Sequence, residues 1–185
     1  MRKLKLQMQI TVDGFVAGPQ GQLDWMTWAM DEKLIAFINH LTDTSDTILL
    51  GRKMTEGFVK YWEQVITQPD SPEYEFGQKM VNLPKIVFSK TVSSMEGRNV
   101  RVENGPVVDA VNQLKSQDGK DMIVYGGATF VGSLIEHRLI DELNLFVNPI
   151  ALGEGLRIFG ARTPLRLVAS TAYASGIVVN TYQNR

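Results

Sequence analysis

Apolar and polar residues alternate from residue 4 to 12 (Leu-Lys-Leu-Gln-Met-Gln-Ile-Thr-Val), which predicts a strand with one buried face. Three short apolar runs follow, at 47–50, 85–88 and 122–125. Each is too short for a helix and predicts a buried strand. Between them the period changes. Leu34, Phe37, Ile38 and Leu41 share a helical face behind Asp31, a suitable cap. Thr55 opens a short helix through Trp62, and a brief helix is expected at 72–80 inside a proline-bearing loop at 66–83. Pro106 starts a helix with Val107, Val108, Val111 and Leu114 on its apolar face, ended by Asp118-Gly119. Phe130, Val131, Leu134 and Ile135 mark another. A strand is expected at 99–102, and a long one at 141–152 broken by Gly153-Glu154-Gly155. Residues 165–173 and 177–183, around Ser175-Gly176, read as an antiparallel hairpin.

Strands alternating with helices and closing on a hairpin give an α/β domain. The expected architecture is a mainly parallel central sheet flanked by helices, with an antiparallel C-terminal hairpin. In open sheets of this kind ligands bind beyond the carboxyl ends of the parallel strands. Three predicted strands end there in groups suited to phosphate: Gly51-Arg52-Lys53, Ser89-Lys90-Thr91 and Gly126-Gly127-Ala128-Thr129. The glycine pair sits where a strand turns into a helix, so free backbone N–H groups and a positive dipole end face outward. A tight turn with no ligand is the alternative. Arg52 and Lys53 stand at a helix start, against the dipole preference, as if an anion were expected. Ser89 and Lys90 repeat the theme with a hydroxyl and a cation. A nucleotide carrying a pyrophosphate and an extra ribose phosphate engages all three junctions, which describes NADPH better than NADH.

Composition narrows the picture. The 185 residues are 44% hydrophobic and 21% charged, with formal net charge −1, and fit one domain with a substantial core. No basic block draws in nucleic acid or an anionic membrane. With no cysteine, disulfides, thiolate nucleophiles and sulfur-ligated metals drop out, and a reducing, cytoplasmic setting fits. No apolar run is long enough to span a bilayer, and the N-terminus has no signal-peptide core.

Other chemistry-bearing residues each admit two readings. Asp13, before Gly14, is either a turn-former or a carboxylate that orients or protonates a heterocycle, the latter requiring a raised pKa. Trp25 and Trp28 either pack in the core or stack on a flat ring. His40 and His137 lack partners at metal-ligand spacing, so no metal site is expected. Gly-x-Ser-x-Gly, Gly-x-Gly-x-x-Gly and Gly-x-x-x-x-Gly-Lys-Ser/Thr are all missing, which removes hydrolase, standard Rossmann and kinase readings.

Four segments in order resemble the dihydrofolate reductase-like superfamily. Within it, the chain is most similar to the reductase domain of the bifunctional riboflavin-biosynthesis deaminase–reductase and its stand-alone bacterial relatives. They are Thr-Val-Asp-Gly-Phe-Val-Ala-Gly at 11–18, Leu-Gly-Arg-Lys-Met-Thr at 50–55, Val-Phe-Ser-Lys at 87–90 and Val-Tyr-Gly-Gly-Ala at 124–128. The resemblance spans nearly the whole chain. It implies a dihydrofolate reductase-like fold and NADPH binding, with Gly51, Arg52, Lys53, Thr55, Ser89 and Lys90 around the adenosine ribose phosphate. Gly126, Gly127, Ala128 and Thr129 match the pyrophosphate turn, Ala17 and Gly18 the loop near the nicotinamide, and Asp13 an aspartate serving the substrate.

Two departures refine the expectation. The acidic residue that dihydrofolate reductases carry in the first helix falls here near Leu34 or Ile35, with Asp31 and Glu32 a turn earlier, which speaks against dihydrofolate reduction. The deaminase half has no counterpart. The expected activity is reduction of a small heterocycle, a uracil-type pyrimidine of riboflavin biosynthesis first and a pterin second. An NADPH-binding protein without turnover is the alternative. The strand at 141–152 and the terminal hairpin carry apolar surface that needs cover, so a homodimer is expected.

Overall fold

The computed structural model describes residues 1–26 and 30–185. Its elements follow the predicted order: β1 (Leu4–Thr11), α1 (Glu32–Asp43), β2 (Ser45–Gly51), α2 (Arg52–Val65), α3 (Tyr74–Asn82), β3 (Lys85–Phe88), β4 (Val100–Glu103), α4 (Val107–Ser116), β5 (Asp121–Val124), α5 (Ala128–Glu136), β6 (Glu142–Asn148), β7 (Leu165–Ala172) and β8 (Val178–Asn184). Among the described residues they form one eight-stranded sheet in the order β4-β3-β2-β5-β1-β6-β8-β7. Strands β1 to β6 are parallel, and β8 runs antiparallel between β6 and β7.

One face of β1 puts Leu4, Leu6, Met8 and Ile10 into a core with Val111 and Leu114 of α4 and Val131 and Leu134 of α5. The opposite side of the sheet carries a second core, where Leu34, Ile38 and Leu41 of α1 meet Ile48, Leu50, Ile123 and Phe146. Alternation made β1 a half-exposed strand, but it lies at the sheet's centre with helices over both faces. Its polar residues Gln7 and Gln9 are half-buried rather than solvated.

Boundaries moved for local reasons. α1 keeps its expected cap, Asp31 accepting from Leu34 N at 3.0 Å. α2 starts three residues before Thr55, so Arg52 and Lys53 occupy its first turn behind Gly51. β6 stops at Asn148 because Pro149 has no N–H to continue the ladder. It is also an inner strand, between β1 and β8, so the sheet edge on this side is β7.

The amino ends of the strands are held by ion pairs with no precursor in the motif pattern. Arg2 pairs with Asp46, Lys5 with Asp121 at 2.8 Å and Lys115 with Asp141 at 2.6 Å. Each of these cations is buried, and burying a cation is costly unless an opposite charge offsets it.

Candidate cofactor and substrate cleft

The carboxyl ends of β2, β3 and β5 lie level. Leu49 registers with Val124 and Gly51 with Phe88. Phe130 of α5 joins the three ends, its ring stacked on Phe88 at 5.0 Å between centroids. A Cβ added to Gly51 would stand 2.8 Å from that of Phe130, and one on Gly127 would stand 3.6 Å from the Cα of Gly51. Gly126 and Gly127 have φ of 154° and 84°, a conformation that excludes ordinary side chains. The positive φ of the strand-to-helix turn thus calls for glycine at 126 and 127, and the approach of Phe130 calls for it at 51.

This close packing sets two helix starts side by side. Neither Gly51 before α2 nor Gly127 before α5 gives a side-chain cap, and no acidic residue occupies either first turn. The leading N–H groups of each, those of Ala128 and Thr129 included, therefore lack intrahelical acceptors and point outward. Arg52, Lys53 and Lys90 are exposed beside them, and none has an acidic partner among the described residues. At the amino edge, by contrast, Arg2, Lys5 and Lys115 are each matched to an aspartate.

Ser89 is buried, and its Oγ accepts from Thr91 N at 3.1 Å and Val92 N at 3.2 Å. The same oxygen lies 3.4 Å from Thr91 Oγ1, either hydroxyl being able to donate to the other. Thr55, expected among the cofactor-binding residues, is fully buried and donates to Gly51 O at 3.1 Å. It braces the turn from behind.

Asp13 differs from the acid its second reading required. The carboxylate accepts from Thr11 Oγ1 at 2.5 Å, Leu152 N at 3.0 Å and Gly153 N at 2.7 Å. These bonds, that from Thr11 foremost, hold its pKa below the ordinary carboxylate value rather than raising it. Asp13 thereby ties the loop after β1 to the one after β6. The same two loops meet where Leu156 N donates to Ala17 O at 2.8 Å and Val16 N to Leu156 O at 2.9 Å. Arg157 lies over the ring of Phe15, 4.1 Å from its centroid. The glycine-rich loop that follows β1 is closed by Gly18 N donating to Gln22 O and Gly21 N to Gly18 O, each at 2.9 Å.

Ala17 and Gly18 are both buried, next to the end of the central strand. Trp25 is buried, its Nε1 donating to Gln22 O at 3.2 Å, so it packs rather than offering an open face. Trp28 lies outside the described residues. No cluster of potential metal ligands occurs among the described residues. His137 Nδ1 contacts Ser133 O at 2.8 Å, and His40 is exposed in the last turn of α1. Among the described residues, no helix is long and apolar enough to cross a membrane.

Comparison with known proteins agrees with this fold. The profile of the family described as RibD C-terminal domain matches residues 2–179. The Bacillus subtilis (strain 168) uncharacterized protein YyaP is 33% identical over 186 residues, covering 98% of this chain and 94% of that protein. Two solved structures share the fold at low identity. The Thermotoga maritima diaminohydroxyphosphoribosylaminopyrimidine deaminase/5-amino-6-(5-phosphoribosylamino)uracil reductase superposes with TM-score 0.69 at 16% identity, covering 100% of this chain and 57% of that one. Enterococcus faecalis dihydrofolate reductase, solved with NADP(H), superposes with TM-score 0.62 at 15% identity, covering 99% and 96%. The fold is dihydrofolate reductase-like, a mainly parallel sheet with an antiparallel terminal hairpin.

Proposed function

The chain belongs to the RibD C-terminal domain family, and from that premise we propose that it is an NADPH-dependent reductase of a small nitrogen- and oxygen-rich heterocycle. A uracil-type pyrimidine of riboflavin biosynthesis is the first candidate substrate and a pterin the second. NADPH, when bound, supplies the hydride. The observation that carries the reading is the pair of uncapped, acid-free helix starts at Gly51 and Gly127, set against each other and flanked by unmatched cations.

In this reading Arg52, Lys53 and Lys90 meet the ribose phosphate, and the hydroxyl of Ser89 turns from Thr91 to donate to it. The N–H groups of Ala128 and Thr129 receive the pyrophosphate at the glycine pair. Ala17 and Gly18 border the nicotinamide. Asp13 holds the loop that carries them. A cytoplasmic setting suits a cysteine-free reductase.

Titration with NADPH and, separately, NADH, followed by tryptophan fluorescence and melting temperature, tests the cofactor. Tight binding that prefers NADPH is expected. Failure of both to bind would remove the reductase reading and leave the fold.

A second reading, NADPH binding without turnover, is favoured by one observation: Asp13, the acid nearest the substrate side in the motif pattern, is occupied and held ionised. Consumption of NADPH with a pyrimidine, pterin and quinone panel decides between the two.

The homodimer is proposed through β7. Leu167 and Val168 on this edge strand are 53% and 48% exposed, and an open apolar edge invites a second chain. Light scattering that gives a monomeric mass would refute it.

A further inference from the structure

The α1-facing side of β1 carries polar groups where a central strand covered on both faces is ordinarily apolar. Gln9 registers with Phe146 and Lys5 with Ile123, so Lys5, Gln7 and Gln9 share the side on which α1 packs. Lys5 is accounted for by its bonds to Asp121 and Thr44. Asn144, opposite Gln7, is accounted for by Glu142 and Thr181. Gln9 Oε1 accepts from Asn148 Nδ2 at 2.7 Å. The Oε1 of Gln7 is different: it is buried with no hydrogen-bond partner among the described residues. An acceptor left so costs stability, and a fold that keeps one in its central strand marks a place where a donor arrives.

The row of Gln7 and Gln9 leads along β1 to Thr11, at the carboxyl edge where the glycine pair, Ala17 and Gly18 lie. A flat ring reaching inward from that edge along the α1 side of β1 would meet Gln9 first and Gln7 next. Carboxylates that could take their place are committed elsewhere. Asp31 caps α1 and accepts from Ala174 N, Asp121 pairs with Lys5, and Glu142 accepts from Asn144.

Carboxamide and carboxylate read different ring edges. A carboxylate offers two acceptors and fits two adjacent donors, the ring N–H and amino group of a pterin or a protonated diaminopyrimidine. A carboxamide offers one donor beside one acceptor and fits a lactam, whose N–H and C=O stand side by side.

Resting on the reductase reading above, we infer that Gln7, supported by Gln9, is the recognition edge for a neutral lactam or ureide ring, and that it selects uracil-type substrates over amidine-bearing ones.

The test uses the full chain and two probes, 5,6-diaminouracil and 2,4-diaminopyrimidine, titrated calorimetrically with and without NADPH. Wild type is expected to bind the uracil the more tightly. Gln7→Met lowers uracil affinity by about tenfold, the loss of one well-made polar contact. Without ligand the same variant melts a few degrees higher, about 2–4 °C, because the orphaned acceptor is gone. Gln7→Glu reverses the order of the probes. A wild type that prefers the diaminopyrimidine or binds neither probe overturns the inference. So does a Gln7→Glu variant that keeps the wild-type preference, or a Gln7→Met variant that melts lower and binds the uracil unchanged. The cofactor titration is read separately. Uracil selectivity that fails while NADPH binds sinks the recognition edge alone, whereas loss of NADPH binding sinks the reductase reading.

Discussion

Asp13 Oδ2 accepts a hydrogen bond from Gly153 N at 2.7 Å, joining residues 140 positions apart in the chain. This carboxylate is bonded in its ionised form, and its pKa is lowered from the ordinary 3.8. The stabilisation is present above 3.8 and is lost as pH falls through the lower, folded value. Asp13→Asn is expected to flatten the acid limb of a melting-temperature profile and to lower the melting temperature at neutral pH. The pH dependence of any turnover near neutrality should not change. Loss of turnover in Asp13→Asn with NADPH affinity unchanged would restore the carboxyl as a proton donor.

Lys85 behaves in the opposite sense. It is buried at the start of β3, its Nζ donating to Val81 O at 2.9 Å and Leu83 O at 2.7 Å at the end of α3. Burial pushes its pKa from 10.5 down to about 8. Between these values the unfolded chain holds more protons than the folded one, so stability rises with pH across the window from about 8 to 10.5. Urea midpoints measured through that range should climb in wild type. In Lys85→Met they should lose this rise.

Arg52→Ala should weaken NADPH by about tenfold or more, the scale of one charge-assisted contact, while NADH affinity stays within a factor of about two. Equal loss for both cofactors would move Arg52 from the ribose phosphate to the pyrophosphate. Thr55→Val, by contrast, should lower the melting temperature and leave the ratio of the two affinities unchanged, since its hydroxyl serves Gly51 O.

Gly155 has φ of 155°, and a Cβ there would stand 2.2 Å from Ala17 O. Gly155→Ala must therefore push apart the loops that Asp13 ties together. A destabilisation of about 2–3 kcal/mol is expected in chemical denaturation. Faster hydrogen exchange in residues 11–18 should accompany it.

Local signals in the sequence carried the elements well. The Asp31 cap, the buried runs of β2, β3 and β5, and the glycine pair before α5 depend on neighbours within a few positions. The roles of Asp13, Thr55 and Gln7 depend on distant ones. Asp13 reads as a turn or an acid until Leu152 and Gly153 are placed against it. Thr55 reads as phosphate chemistry until α2 is seen to start at Arg52 and turn the hydroxyl inward. Gln7 and Gln9 read as a solvent face because alternation cannot say whether a strand lies at the edge or the centre of a sheet. Once β1 is known to be central, the same alternation becomes the signal: two amides inside a covered sheet.

The position of β1 also bears on how the chain is made. It precedes the other seven strands of the sheet in chain order, yet both its neighbours come late. Lys3 bonds to Asp121, 118 positions on, and β6 follows later still. During translation the apolar stripe of Leu4, Leu6, Met8 and Ile10 therefore waits on the order of ten seconds without a partner strand. The cleft cannot assemble piecemeal behind the ribosome, since its walls at residues 7–18, 52–53, 89–90, 126–129 and 152–157 close only around that waiting strand. Residues through 157 must be clear of the ribosome before the cleft can close, and a ribosome stalled before β5 exposes a sticky, functionless stub.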